Sequence, residues 1–131
     1  MSEALERLLA VPPLAFDGSL HGRLETRHGL YVISSRGGEV LRAGRTKGQK
    51  GLRQRVYQNH WKGDQKGNLA GQLVATGAAR DLGDARRWIG ENCIVRTLVI
   101  EDDEKRAWHE HFMLSVLRPR FSDGRDGRFV V

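Results

Sequence analysis

The chain has 131 residues, which is enough for one domain with a modest hydrophobic core. Its 39% hydrophobic and 29% charged residues exclude a disordered tail. The single cysteine, Cys93, excludes an internal disulfide framework and a cysteine-rich zinc site. No apolar run reaches the roughly 20 residues of a membrane span, and the N-terminus lacks a signal pattern. We therefore expect a cytoplasmic protein without a membrane partner.

The positive charge is concentrated in one part of the chain. Residues 41–66 contain eight Lys or Arg residues and one acid, Asp64, whereas the whole chain has a net charge of +6. The rest of the chain is therefore close to neutral. Arginine outnumbers lysine by 17 to 5, and the guanidinium group matches the geometry of phosphate oxygens. This pattern favours a nucleic-acid partner over a merely solvated basic surface.

In chain order, the pattern predicts a short helical arm, then a hairpin, then helices around one more strand. Ser2 is a typical helix cap, and Pro12 and Pro13 end the arm. The strands are predicted at residues 29–35, 39–43 and 92–100. The remaining helices are predicted at residues 51–62, 68–80, 83–91 and 102–118. The predicted fold is thus a single α/β (α+β) domain over residues 1–131, with a small three-stranded antiparallel sheet flanked by helices.

The hairpin presents a polar face with an opening beside a phenol. Gly37 and Gly38 form a two-residue turn in this prediction. The predicted pairs are Ser35 with Val40, Ile33 with Arg42, Val32 with Ala43, and Tyr31 with Gly44. Side-chain alternation then puts Tyr31 and Arg42 on the face opposite Leu30, Val32, Leu41 and Ala43. Gly44 leaves space beside Tyr31 for a ligand, although this stretch alone also fits an ordinary strand.

The helix at residues 51–62 has two polar flanks. One flank holds Arg55 and Asn59, four residues apart. The other holds Arg53, Tyr57 and His60, which fall within one narrow arc at about 100° per residue. A small change in helical phase would exchange the two flanks, so the residues alone leave open which one faces a site.

Several short motifs occur in an order that is familiar from one enzyme family. "GLY" is followed after a turn by "RAG", then by the arginine-bearing helix, and finally by "EHFMLSVLRPRFS". This arrangement, over about residues 29–122, resembles the GIY-YIG nuclease family, as found in excision-repair incision nucleases and homing endonucleases. The resemblance implies a three-stranded antiparallel sheet with helices, and hydrolysis of phosphodiester bonds in nucleic acid with one divalent metal ion, Mg²⁺ or Mn²⁺.

The resemblance also implies roles for individual residues. Tyr31 corresponds to the tyrosine that helps to activate the attacking water, Arg55 to the phosphate-binding arginine, and Glu110 to the metal ligand. Gly44 corresponds to the glycine that closes the second motif. The sequence departs from the family pattern at three positions, where it has Arg42 for the second tyrosine, Asn59 for a His or Tyr, and Ser122 for an asparagine.

The residues themselves suit this chemistry. A glutamate such as Glu110 is a hard oxygen donor, and Mg²⁺ needs few protein carboxylates because it keeps most of its waters. A phenol is protonated at neutral pH, so a base role for Tyr31 needs help, which we expect from Arg42 on the same strand face. His60 is a further candidate for the catalytic site. The residues expected to contact nucleic acid are Arg45, Lys47, Lys50, Arg53, Tyr57, Lys62 and Arg120.

The sequence therefore predicts a metal-dependent endonuclease, monomeric or homodimeric, that acts on DNA in preference to RNA. The alternative is a catalytically weakened domain that binds nucleic acid without cutting it. A protein adaptor whose basic segment meets an acidic partner is a third, less favoured reading. Two other motifs are interpreted structurally: "EDDE" at residues 101–104 as a helix cap, and the tryptophans 61, 88 and 108 as buried helix residues rather than stacking platforms.

Overall fold

The computed structural model describes residues 2–65 and 67–121. The helices are α1 (Glu3–Ala10), α2 (Leu20–Arg23), a π-helix (Gln54–Trp61), α3 (Leu69–Ala75), α4 (Leu82–Asn92) and α5 (Asp103–Leu117). The strands are β1 (Leu14–Ala15), β2 (Gly29–Ser35), β3 (Val40–Arg45) and β4 (Cys93–Val99). Within these ranges, no helix combines the length and the apolar character that a bilayer crossing requires.

The strands form one open antiparallel sheet in the order β1–β4–β2–β3. The mixed α+β class and the three predicted strands are confirmed, but the described sheet has four strands where the sequence predicted three. The additional strand, β1, pairs Leu14 with Val95 and Ala15 with Ile94 on the outer side of β4. Two residues are too few for an alternating pattern, so sequence periodicity could not reveal this strand.

The β2–β3 hairpin has the predicted register up to a β-bulge. Tyr31 pairs with Gly44, and Ile33 pairs with Arg42, as predicted. Beyond the bulge Ser34 pairs with Val40, so the predicted Ser35–Val40 pair is wrong. The turn is longer than two residues, because the Ser35 N–H donates to the Glu39 carbonyl at 2.8 Å and three residues lie between them. The last of the three, Gly38, has φ of +103°. Glycine adopts this left-handed backbone without strain.

Both faces of the sheet are buried. Tyr31 and Ile33 face a cluster built with the π-helix, α3 and α4. Leu30 and Val32 face a second cluster that contains Met113 of α5 and buried leucines of α1. The helix α1, capped by Ser2 as predicted, thus packs its leucines into the core. Leu41 was predicted to share the face of Leu30, but it packs in the Tyr31 cluster, since a bulge changes the alternation of side chains.

The helix that follows β3 is wound more widely than an α-helix. The N–H of Lys62 donates to the carbonyl of Tyr57, five residues earlier, at 3.0 Å. This i→i+5 pattern defines the π-helix Gln54–Trp61. Leu52, Val56 and His60, which are four residues apart, are all fully buried. The wider turn therefore places His60 on the inward-facing side of the helix.

The helix α5 is fixed at its start by capping and by a buried arginine. The Asp102 side chain accepts from the N–H of Lys105 at 2.9 Å, which confirms the capping interpretation of "EDDE". Arg106 is buried and donates to the carbonyls of Thr46, Ile100 and Glu101. These carbonyls follow the ends of β3 and β4, so Arg106 attaches α5 to that end of the sheet. Glu110 lies one turn later on α5, where the helix approaches β3.

Candidate functional site

A phenol, a glycine and a carboxylate meet at the edge of the sheet. A Cβ atom at Gly44 would lie 2.8 Å from Tyr31 Oη, 3.1 Å from Tyr31 Cζ and 3.4 Å from Glu110 Oε2. Tyr31 Oη and Glu110 Oε2 thus border the same small space, although they come from β2 and α5. Glycine is required at position 44, because even one methyl group would collide with the phenol.

Glu110 is held at this edge by the backbone and side chain of Arg45. Its Oε2 accepts from the Arg45 N–H at 3.1 Å, and its Oε1 lies 3.5 Å from Arg45 Nη1. The side chains of Arg45 and Glu110 are 23% and 19% exposed, respectively. The carboxylate therefore satisfies a backbone donor of the edge strand and is partly accessible from solvent.

The hydrogen-bond partner of the Tyr31 hydroxyl is His60. Tyr31 Oη lies 2.7 Å from His60 Nε2, and the other ring nitrogen, Nδ1, accepts from the N–H of Leu69 at 3.0 Å. Because a backbone N–H can only donate, Nδ1 must be unprotonated in the neutral ring, which assigns the proton to Nε2. His60 thus donates to the Tyr31 oxygen, which leaves the phenolic proton free to be directed elsewhere.

Burial keeps His60 neutral. Desolvation lowers the pKa of His60 well below its ordinary value of 6.5, and the positive charges of Arg42 and Arg55 lower it further. The neutral ring is the form that can accept from Leu69 and donate to Tyr31 at the same time. The imidazole is therefore suited to stabilise a phenolate as a donor, and not to take the phenolic proton itself.

The contacts of the π-helix show which of its residues approach Tyr31. His60 bonds to the Tyr31 hydroxyl. Arg55 Nη1 donates to Asn68 Oδ1 at 3.0 Å, beside the Leu69 N–H that binds His60. Arg55 and His60 therefore belong to one network, whereas the α-helical phase had grouped His60 with Arg53 and Tyr57.

Arg42 lies on the predicted face of the sheet but has other described partners. It is buried, and its Nη1 donates to the Gly67 carbonyl and to Gln72 Oε1, both at 2.7 Å. The sequence prediction made Arg42 the charge that assists the phenol; the described hydrogen bond to the Tyr31 hydroxyl comes from His60. Arg42 ties β3 to the loop before α3, and its charge acts on His60.

The residues predicted to contact nucleic acid differ in their exposure and in their contacts. Lys47, Lys50 and Lys62 are exposed, and Arg45 lies at Glu110. Tyr57 packs edge-on against His21 and Trp61, and Lys62 Nζ lies 3.7 Å from the centre of the Trp61 ring. Tyr57 therefore serves the packing of α2 against the helix. Arg53 is partly buried, and Arg120 is exposed near Glu39.

Other sequence predictions have mixed outcomes. Trp61 is buried as predicted, but Trp88 and Trp108 are exposed by 36% and 59%. Asn68 and Arg106 were missed: Asn68 was read as part of a helix, and Arg106 was passed over although it lies one turn before Glu110 on α5. Ser122, one of the three departures from the family motif, and the side chain of Lys66 lie outside the described residues.

The candidate metal ligand at this site is a single carboxylate, that of Glu110. Mg²⁺ is commonly bound through one or two carboxylates and keeps several waters. Glu110, beside the opening at Gly44, supplies one such carboxylate.

The burial of neutral His60 predicts a specific pH dependence of stability. As the pH falls below about 6.5, the unfolded chain gains a proton on this histidine and the folded chain does not, so the free energy of unfolding decreases. The expected contribution is at most about 1.4 kcal/mol per pH unit. His60→Gln, which does not titrate, is expected to flatten this part of the curve in denaturant unfolding between pH 7.5 and 5. Parallel curves for the two proteins would contradict a buried neutral imidazole.

Comparisons of the chain with protein-family models, curated proteins and solved structures found no match.

Proposed function

We propose that this protein is a metal-dependent endonuclease of the GIY-YIG type that hydrolyses phosphodiester bonds in nucleic acid, with DNA favoured over RNA. The observation that carries the proposal is the meeting of Tyr31 Oη and Glu110 Oε2 at the space beside Gly44. The hydrogen bond from His60 to Tyr31 adds support, because it links that space to Arg55 through Asn68 and Leu69. A phenol, a guanidinium and a carboxylate are the groups that this hydrolysis needs.

Each residue has a defined part in the proposed reaction. Tyr31 takes a proton from the attacking water, and the N–H of His60 stabilises the phenolate that must exist beforehand. Arg55 neutralises negative charge on the phosphate as the pentavalent centre forms. Glu110 holds Mg²⁺, which when bound polarises phosphate oxygens and stabilises the leaving oxygen. The exposed lysines 47, 50 and 62 attract the polyanionic backbone.

A plasmid-nicking assay tests this proposal directly. Supercoiled DNA incubated with the protein and Mg²⁺ is expected to become nicked, and a chelator is expected to stop the reaction. Excess Mg²⁺ added after the chelator is expected to restore it. Nicking that is unaffected by the chelator would contradict a metal-dependent reaction, and no nicking with either DNA or RNA would contradict endonuclease activity.

The second candidate is a domain that binds nucleic acid without cutting it. It is favoured by the position of Arg42, which stands in the place of the second-motif tyrosine and is engaged with Gly67 and Gln72. A gel-shift measurement beside the nicking assay separates the candidates. Salt-sensitive binding of duplex DNA without any nicking is the result that would select this second function.

A further inference from the structure

We propose that Arg45 couples the binding of a divalent cation at Glu110 to the binding of a nucleic-acid phosphate. In the free protein Arg45 would hold the Glu110 carboxylate, and an incoming phosphate would draw the guanidinium away and release the carboxylate to the cation. The inference rests on the proposed function and adds an order of binding to it. The nucleic acid binds first and makes the Glu110 carboxylate available to the cation.

The first observation is that both oxygens of Glu110 are engaged by one residue. Oε2 accepts from the Arg45 backbone N–H at 3.1 Å, while Oε1 faces Arg45 Nη1 at 3.5 Å. A cation that approaches Oε1 meets the positive guanidinium first. At such separations two like charges repel strongly in a partly buried site, so the arginine and the cation compete for the same carboxylate.

The second observation is that one nitrogen of this guanidinium, Nη1, lacks a hydrogen bond. Arg45 Nη1 is shielded from solvent and makes no hydrogen bond, although it lies within ion-pair distance of Glu110. A shielded charged donor without a hydrogen bond is unfavourable. The arginine is therefore not tightly fixed to Glu110, and a phosphate oxygen would provide the hydrogen bond that it lacks.

The third observation is that the backbone contact can persist when the side chain leaves. The Arg45 N–H keeps Glu110 Oε2 at the strand edge whatever side chain residue 45 carries. Arg106 also fixes α5 through the carbonyl of the next residue, Thr46. Departure of the guanidinium would thus free Oε1 without moving the helix, so the exchange requires only a side-chain rotation.

The opposing explanation is that Arg45 serves only to attach α5 to the edge of the sheet. In that case its replacement would lower stability and leave the affinity for cations unchanged. Coupling makes a different prediction. The cation competes with Arg45 for Glu110, and the phosphate binds Arg45, so each ligand must change the affinity of the other by the same factor.

The test measures Mn²⁺ binding by calorimetry and does not depend on cleavage. All proteins carry Tyr31→Phe, which removes the phenolic proton acceptor so that the added oligonucleotide is not cleaved. A variant that also carries Glu110→Gln measures the Mn²⁺ that binds outside the proposed site. A short duplex oligonucleotide is expected to tighten Mn²⁺ binding about tenfold, within the about 5- to 150-fold range typical of coupled sites. Arg45→Met is expected to bind Mn²⁺ about tenfold more tightly without the oligonucleotide, and to respond to it less than about twofold.

Arg23→Met is the matched control, because it makes the same substitution at an exposed arginine that has no assigned part in binding or catalysis. It is expected to leave the Mn²⁺ affinity of the free protein unchanged. Arg45→Lys, which keeps the charge, is expected to retain part of the coupling. It allows the coupling to be measured if Arg45→Met folds poorly. Equal Mn²⁺ affinity for Arg45→Met and its parent, or no effect of the oligonucleotide, would overturn the inference. If the oligonucleotide tightens Mn²⁺ binding but the unmodified protein nicks no DNA, the coupling is supported and the proposed hydrolytic activity is refuted.

Discussion

Replacing Glu110 by glutamine is expected to lower Mg²⁺-dependent nicking about 10²–10³-fold, the range found when one electrostatic group of a transition state is removed. The glutamine amide keeps an oxygen that can accept from the Arg45 N–H, so the contact between α5 and the edge strand is retained. It loses the negative charge that would hold Mg²⁺. The measurement is the initial rate of plasmid nicking over a range of Mg²⁺ concentrations, with the free energy of unfolding measured in parallel.

Glu104→Gln provides the matched control for this substitution. Glu104 lies on the same helix, six residues before Glu110, and is exposed. Its replacement makes the same change in net charge and in chemistry, and it is expected to leave the rate within about twofold of the unmodified protein, as surface substitutions usually do. Equal rates for the Glu104 and Glu110 variants would remove Glu110 from the metal site.

Gly44→Ala is expected to lower the nicking rate about 100-fold and the stability by about 1–3 kcal/mol. The added methyl group would lie 2.8 Å from Tyr31 Oη and 3.1 Å from Tyr31 Cζ. Tyr31 cannot simply rotate away, because its ring is buried and its hydroxyl is bonded to His60. The phenol and the carboxylate would therefore be forced apart at the point where the substrate is proposed to react. Nicking kinetics and denaturant unfolding measure the two effects.

Gly22→Ala is the control that separates the effect of filling the space beside Tyr31 from the effect of replacing a glycine. A Cβ atom at Gly22 would meet nothing within 4 Å, and its backbone is not in the left-handed region. This substitution is expected to leave both the rate and the stability close to those of the unmodified protein. If Gly44→Ala also behaved in this way, the space beside Tyr31 would have no part in the reaction.

Local rules were sufficient for the β2–β3 register before the bulge and for the starts of α1 and α5. Strand alternation predicted that Tyr31 would face Gly44, and the observed register agrees. Side-chain caps predicted where α1 and α5 begin, at Ser2 and Asp102. These features depend on neighbours along the chain or on a single turn, so the information for them lies within a few residues.

The phase of the middle helix could not be predicted in the same way. At the α-helical angle, His60 falls beside Arg53 and Tyr57, and Asn59 is the residue that follows Arg55 by one turn. The observed π-helical winding, with an i→i+5 hydrogen bond where an α-helix has i→i+4, changes this phase. It is accompanied by contacts from distant elements, since the ring of His60 joins Tyr31 of β2 to the N–H of Leu69. A one-residue difference of this kind follows from tertiary packing and not from local preference.

The outer side of β3 has a consequence for the behaviour of the protein at high concentration. An exposed edge strand is a template on which a second chain can add a strand and start aggregation. Here the carbonyls of Val40 and Leu41 accept from the backbone of residues 120 and 121, and the N–H of Arg45 is bound by Glu110. The carboxylate proposed to hold Mg²⁺ thus also covers a backbone donor of the edge strand, so any substitution there that abolishes the acceptor is expected to lower solubility as well as the proposed activity.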